Sequence, residues 1–194
     1  GSDFGDDAQY YLGESYYRNE EYLNAITEFE KLTRRMGFSE YVEDARFKIC
    51  EAYKIESPQY FHDQEYTLKA LERYQEFMDD YPNSKFLDSI LSSIAELRNK
   101  LALKLYQTGI LYIKMEEYES AKIAFKDALN KYYDTKIIHK LNQGLVIAVA
   151  KNLEIDEAKK ILSKNEILLK DNKLYEEASL SIIDSQRLID KKNQ

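Results

Sequence analysis

The stretch from His62 to Phe86 constrains the fold most, because it predicts one amphipathic helix with a marked end. Asp63 is placed to cap the start of this helix, and Pro82 ends it, since proline lacks the N–H that a helix requires. Asn83-Ser84 then offers an N-cap for the next helix. Apolar residues recur at steps of three and four and form one stripe: Leu71, Tyr74, Phe77, Met78 and Tyr81. Such a stripe needs a partner helix to cover it.

The composition favours an all-α fold, because helix-forming residues dominate and only 6 Gly and 2 Pro punctuate the 194 residues. The net charge is −7, with both signs interspersed. This argues against a nucleic-acid partner, since non-specific binding of nucleic acid requires a basic surface. No apolar run approaches the about 20 residues that a membrane-spanning helix requires. Cys50 is the one cysteine, so an intramolecular disulfide is excluded.

A helix pair recurs along the chain in a pattern typical of tetratricopeptide repeats. In the first copy, Gly13 and Ala25 are the predicted points of closest helix approach, Tyr16 and Phe29 fill the space beside them, and Asn19-Glu20 forms the turn. Later copies follow the same frame, the fourth more weakly: Cys50, Tyr53, Ala70, Tyr74 and Phe77; Gly109, Tyr112, Ala121, Phe125 and Ala128; Leu145, Val149, Ala158 and Leu162. The sequence therefore predicts an all-α, tetratricopeptide-like helical-hairpin solenoid of four to five helix pairs with a long central helix.

Two segments lengthen these copies beyond the about 34 residues of a plain tetratricopeptide repeat. Residues 54–67 predict a long loop inside the second pair, and residues 84–115 predict either one long central helix or two helices in line. A terminal capping helix is predicted over 173–190, with an apolar stripe of Leu174, Ala178, Leu180, Ile182, Ile183 and Leu188. We therefore expect a tag remnant and disorder over 1–5, amino-terminal repeats over 6–82, carboxy-terminal repeats and the capping helix over 83–190, and a disordered tail over 191–194.

No catalytic or metal-binding motif is present in the sequence, so we expect no enzymatic activity and no cofactor. Cys50 occupies a small-residue position of the second pair, where a buried packing residue is expected rather than a reactive thiol. His62 and His139 lie far apart in the sequence and make a poor metal site. A hydrolase or metalloenzyme would have only these three residues to use.

The concave surface of the solenoid is the candidate binding site, because the first helix of each pair lines it in a tetratricopeptide array. The residues predicted to face this groove are Tyr10, Glu14 and Tyr17 in the first pair and Phe47, Glu51 and Lys54 in the second. Tyr10 and Phe47 fit packing against the next repeat as well as they fit binding, whereas Tyr17 lies nearer the rim and favours binding. Aromatic rings beside charges suit an extended peptide.

Several central motifs are not required for plain repeat packing: Asp63-Gln64 after a long loop, Thr67 and Ala70, the turn Tyr81-Pro82-Asn83-Ser84, the segment LRNKLA at 97–102, and Tyr112 followed by Tyr118 and Ala121. With these motifs the chain resembles the BamD family, the tetratricopeptide lipoproteins of the outer-membrane β-barrel assembly machine. The resemblance covers roughly residues 6–165.

This resemblance implies a scaffold role in outer-membrane protein assembly, at the periplasmic face of a Gram-negative outer membrane. The amino-terminal repeats would receive the targeting strand of unfolded clients, and the carboxy-terminal repeats would dock the barrel-forming subunit beside accessory lipoproteins. Arg98 and Lys100 match basic positions of the family and are the candidates for that subunit contact. The family is tethered through a lipidated cysteine, and we expect Gly1-Ser2 to be the remnant of tag removal that replaced this anchor.

Clients that end in an aromatic residue would suit a tyrosine-lined groove with a cation for the terminal carboxylate, and Arg18 or Lys54 are the candidates for that cation. Membrane contact is expected only through the missing lipid anchor. The alternative function is that of another periplasmic tetratricopeptide co-chaperone or cell-envelope coordinator. The insertion and the turn at Pro82 argue against it, since repeat packing requires neither.

Overall fold

The computed structural model describes residues 4–169 and 173–192, and this part of the chain contains helices and no strand. The helices are α1 (Phe4–Arg18), α2 (Tyr22–Arg35), α3 (Val42–Glu56), α4 (Glu65–Asp80), α5 (Leu87–Lys114), α6 (Tyr118–Lys131), α7 (Ile138–Lys151), α8 (Ile155–Lys164), the single turn α9 (Glu166–Leu169) and α10 (Leu174–Lys192). Short turns join α1 to α2 and α7 to α8, so that each pair forms a helical hairpin. The predicted all-α, tetratricopeptide-like fold is confirmed.

The chain divides into two compact units between Leu97 and Arg98, inside α5. The core of unit 1 consists of two clusters. The first consists of Ala25, Ile26, Phe29, Leu32, Ala45, Ile49 and Ala52, and the second of Cys50, Ala70, Tyr74, Phe77, Ile90 and Leu97. In unit 2 the side chains of α6, α7, α8 and α10 share one core around Phe125, Leu141, Val146, Val149, Ala158 and Ile182.

Glycines allow the helices to touch at the positions that the repeat pattern predicted. A Cβ atom on Gly13 would lie 2.6 Å from the Phe29 ring, and one on Gly109 would lie 2.5 Å from the Phe125 ring. The sequence pattern did not identify Gly144, whose Cβ would also lie 2.5 Å from Phe125. The Phe125 ring therefore meets a glycine of α5 and a glycine of α7, and both backbones approach it too closely for any side chain.

Three turns between paired helices share one geometry. Glu20, Glu116 and Leu153 all adopt a left-handed backbone conformation, with φ of 62°, 62° and 64°. The next residue donates its N–H back into the preceding helix: Glu21 to the Tyr16 carbonyl at 2.9 Å, Glu117 to Tyr112 at 2.9 Å and Glu154 to Val149 at 3.1 Å. These bonds satisfy carbonyl groups that the helix end leaves unpaired, as in the Schellman motif. The predicted turn at Asn19-Glu20 is confirmed.

The second pair differs from the prediction in its bounds. α3 continues to Glu56 and α4 begins at Glu65, so the loop comprises only residues 57–64. Asp63 accepts a hydrogen bond from the Glu65 N–H at 2.8 Å, which stabilises the start of α4. This helix ends at Asp80, two residues before Pro82, as expected.

The central helix is continuous: α5 extends over 28 residues, which decides between one helix and two in favour of one. Ser84 precedes it and accepts a hydrogen bond from the Phe86 N–H at 3.1 Å. None of the helices over residues 4–169 and 173–192 combines the length and apolarity needed to cross a membrane.

The ends of the chain contain more helix than predicted. Phe4 and Gly5 belong to α1, and Lys191 and Lys192 belong to α10, whereas the other residues predicted to be disordered, 1–3 and 193–194, lie outside the described residues. α10 buries Ala178 and Ile182, but the predicted stripe was too wide. Leu174 is half-buried against the same core, whereas Leu180, Ile183 and Leu188 are 45–57% exposed because α7, α8 and α9 cover only one side of this helix.

Candidate functional site

Side chains of α1 and α3 form a group that we call the α1–α3 cluster: Glu14, Tyr17, Arg18 and Lys48. The Lys48 Nζ lies 2.8 Å from a Glu14 carboxylate oxygen and 4.3 Å from the centre of the Tyr17 ring. Arg18 approaches the same carboxylate at 3.5 Å and is otherwise exposed. Two predicted groove residues, Glu14 and Tyr17, therefore meet the predicted cation Arg18, and Lys48 joins them. Its position three residues before Glu51, on the same face of α3, is the sequence signal that could have identified it.

The two tyrosines of α1 differ in their surroundings. The Tyr10 ring stacks on Tyr41 with 4.5 Å between ring centres and also contacts Phe29, so Tyr10 packs against α2 and the start of α3. The Tyr17 ring meets Tyr22 edge-on and faces the Lys48 ammonium. Burial raises the pKa of both hydroxyls to about 12, and the Glu51 carboxylate adds to the shift at Tyr17. Both phenols are therefore neutral hydrogen-bonding groups at pH 7.

The other predicted groove residues of α3 have partners in α4 and around the start of α5. Glu51 accepts a hydrogen bond from the Tyr74 hydroxyl. Phe47 stacks face to face on Phe86, with 4.0 Å between ring centres. The Lys54 Nζ donates to the Ser93 hydroxyl at 3.0 Å and pairs with Glu96 at 2.9 Å. Phe47 and Lys54 therefore lie apart from the α1–α3 cluster, and Glu51 lies between the two groups.

Arg98 fixes the loop between α6 and α7. Its Nε and Nη2 atoms bond the two Asp134 carboxylate oxygens at 3.0 Å and 2.7 Å, and Nη2 also donates to the Lys131 carbonyl at 2.8 Å. The guanidinium lies over the Tyr132 ring. These hydrogen bonds hold the pKa of the Asp134 carboxyl below its usual range. Lys100 lies half-buried on α5, two residues further along.

The residues considered for catalysis do not assemble. Cys50 is a free cysteine, buried at 1% exposure, and desolvation raises the pKa of its thiol to about 12. Cys50 is therefore a buried packing residue, as predicted. His62 is exposed in the α3–α4 loop, and His139 belongs to α7 in the other unit. Among the residues that the structure describes, no group of three or more His, Cys, Asp or Glu side chains is arranged to hold a metal ion.

Comparison with known families gives two matches. Residues 7–35, which contain α2 and most of α1, match a tetratricopeptide repeat. Residues 54–167 match YfiO, described as an outer membrane lipoprotein. No curated protein sequence matches the chain. The YfiO match covers more than half of the chain, from the end of α3 into α9, and includes the turn at Pro82 and all of α5. This chain belongs to the YfiO family of outer membrane lipoproteins.

Proposed function

We propose that this chain is a non-enzymatic adaptor in outer-membrane β-barrel assembly, as the BamD resemblance implies, and that it acts at the periplasmic face of the outer membrane. The observation that supports this most is the YfiO match over residues 54–167. The tetratricopeptide hairpins support a role in protein binding, because stacked repeats present extended surfaces to partners. Two surfaces have separate tasks in this proposal: one for client peptides in unit 1, and one for the barrel-forming subunit in unit 2.

The client surface is the α1–α3 cluster with the neighbouring predicted residues. Arg18 is the most accessible cation, since its side chain is 80% exposed and its contact with Glu14 is a surface ion pair of little strength. It is our candidate for the terminal carboxylate of a client. The faces of Tyr17 and Tyr10 would hold apolar client side chains. Phe47, Glu51 and Lys54 would extend this surface toward α5.

A client peptide that ends in an aromatic residue tests this surface. Replacing Tyr17 and Arg18 together by Ala should weaken its binding about tenfold or more, because the ring and the cation proposed for the terminal carboxylate are both lost. The matched control is Tyr133→Ala, an exposed tyrosine of unit 2, which should leave binding unchanged. Titration calorimetry with the folded variants gives the affinities. If the double variant binds the peptide as tightly as the wild type, the α1–α3 cluster is not the client surface.

The partner surface includes Arg98, Lys100 and the α6–α7 loop that Arg98 holds. Two roles for Arg98 are separable, because its guanidinium already bonds Asp134. If Arg98 contacts the partner directly, Asp134→Asn should preserve or tighten binding while Arg98→Glu abolishes it. If Arg98 only positions the loop, both variants should lose binding.

The measurement is binding of each variant to the periplasmic domains of the same organism's barrel-forming subunit. Arg187→Glu, which changes an exposed arginine of α10, is the matched control. If all variants retain binding, the interface does not include Arg98. If the folded wild-type chain does not bind, the co-chaperone alternative is favoured.

A further inference from the structure

Glu14 supplies the negative charge of the α1–α3 cluster, and its side chain is buried. One of its carboxylate oxygens lies 2.8 Å from the Lys48 Nζ, and the other lies 3.5 Å from the Arg18 Nε. The Lys48 Nζ also lies 4.3 Å from the centre of the Tyr17 ring. A single carboxylate of the chain therefore bridges two cations beside an aromatic ring.

A client peptide that ends in an aromatic residue would bring the same two groups to the cluster, a ring and a carboxylate. Arg18 is the cation that we propose for the terminal carboxylate, and in the free protein it already contacts Glu14. The client carboxylate therefore has to take a contact that a carboxylate of the chain itself makes.

The two cations hold Glu14 unequally. The Arg18 side chain is 80% exposed and its contact with Glu14 is long, so a client carboxylate can displace it at small cost. The Lys48 side chain is only 28% exposed and its contact with Glu14 is shorter, so water and salt screen this ion pair less. A client that takes Arg18 therefore leaves Glu14 in place on Lys48, and the client carboxylate then lies close to a second negative charge.

The charges around the cluster do not favour a bound anion. Arg18 and Lys48 are cations, whereas Glu14 is an anion. Burial raises the pKa of the Tyr17 hydroxyl, and the Glu51 carboxylate lies near enough to raise it further, so a second anion acts on the same surface. The charges of these two cations and two anions cancel, and no excess of positive charge offsets the repulsion by Glu14.

We propose that Glu14 is an internal competitor for the client carboxylate and keeps client binding weak enough to be reversible. In the free protein Glu14 holds Arg18, and in the complex it repels the carboxylate beside it. This inference rests on the proposed function, because it concerns the surface that we assign to clients. An adaptor that transfers a client to a partner requires such reversibility, since tight binding mostly means slow dissociation.

Two peptides of one sequence that ends in an aromatic residue test this role, one with a free terminal carboxylate and one with a terminal amide. Glu14→Gln retains the size of the side chain and removes its charge. This variant should bind the carboxylate peptide about fivefold more tightly than the wild type does, and the amide peptide less than about twofold more tightly. Titration calorimetry measures these affinities.

Two control variants separate the role of Glu14 from other effects. Glu14→Asp retains the charge, so it should tighten binding of the carboxylate peptide less than Glu14→Gln does. Glu72→Gln removes the same charge at an exposed position of α4 and should leave both affinities unchanged. Circular dichroism confirms that each variant is folded.

The outcomes distinguish the competitor role from the client surface itself. If the wild type binds the carboxylate peptide and Glu14→Gln binds it equally or more weakly, the competitor role is wrong while the client surface stands. Equal tightening of both peptides, or an equal gain in Glu72→Gln, would also overturn the competitor role, because the effect would not depend on Glu14 facing a client carboxylate. If neither the wild type nor Glu14→Gln binds either peptide, the client surface and the competitor role both fail.

Discussion

α3 and α7 are both the first helix of a pair, yet they are buried to very different extents. α3 buries Ala45, Ile49, Cys50 and Ala52 and keeps charged side chains on its other faces. α7 is buried at every residue from Leu141 to Ala150 except Ile147, because α6, α8, α9 and α10 all pack against it. Gln143 is accommodated there because it donates to Glu177 at 2.5 Å.

This difference explains why the fourth repeat looks weak in the sequence. An amphipathic pattern requires a solvent-exposed face that carries polar residues. A helix that is covered on several sides has few such residues, so its pattern is weak. The weakest repeat signature in the chain therefore marks the most deeply buried helix of unit 2. A faint pattern of this kind does not indicate loose packing.

Introducing a charge into each helix tests the difference in burial between α3 and α7 most strongly. Val149→Asp places a carboxylate at a fully buried position of the apolar core and should lower the free energy of unfolding by about 4 kcal/mol or more, because the carboxylate loses its hydration there. Ile55→Asp in α3 changes a residue that is 47% exposed and should cost about 0.5 kcal/mol or less. Urea unfolding followed by circular dichroism measures both. Similar losses would contradict the burial difference.

The glycine contacts give a smaller effect. Gly144→Ala places a methyl group against the Phe125 ring and should lower the free energy of unfolding by about 1–3 kcal/mol. Gly13→Ala meets Phe29 at a similar distance, but α1 has fewer neighbours and can shift, so we expect a lower cost. Gly37→Ala is the control, because its nearest contact would be 3.9 Å away. Adding Phe125→Leu should recover part of the Gly144→Ala loss in thermal unfolding, and no recovery would place the strain elsewhere.

An ion pair in unit 2 should make stability depend on pH. Lys122, only 13% exposed, pairs with Glu154 at 2.7 Å, and together with Asn152 it lowers the pKa of Glu154 to about 2. A carboxyl with a depressed pKa in the folded state stabilises the protein above its unfolded pKa of about 4.3. That stabilisation is then lost as the pH falls toward 2.

Glu154→Gln should therefore cost about 1 kcal/mol at pH 7, discounted for solvent screening, and much less at pH 2. Glu72→Gln, at an exposed position of α4, is the control for unit 1. Urea unfolding at a series of pH values between 2 and 7 measures the difference. A constant difference between wild type and Glu154→Gln across this range would argue against the pair.

Substitutions in the turns should change stability least, and by the same amount in both units. Leu153→Gly and Glu20→Gly relieve a left-handed backbone conformation and should each stabilise the chain by about 0.5 kcal/mol. Gln59→Gly in the α3–α4 loop is the control, because Gln59 has no positive φ to relieve. Thermal unfolding measures all three, and stabilisation by Gln59→Gly as well would show that the effect is not specific to the turn.

The local periodicity of the sequence was sufficient to predict the helices and the contacts within a helix pair, such as that of Gly13 with Phe29. It did not predict contacts whose partner lies in another pair or in the loop between two pairs. Gly144 contacts Phe125 of the preceding hairpin, Lys54 pairs with Glu96, and Arg98 pairs with Asp134. Such contacts depend on how one hairpin packs on the next, which a repeat pattern does not specify. The candidate site was therefore predicted as one groove, whereas its side chains divide between two neighbouring interfaces.

The burial of Cys50 has a consequence under the periplasmic location that we propose, because thiol–disulfide exchange is active in that compartment. A thiolate is the nucleophile in that exchange, and a thiol with a pKa of about 12 and 1% exposure supplies almost none. A lone cysteine on the surface would join two chains or be captured as a mixed disulfide. Buried beneath α4, Cys50 is protected from both reactions.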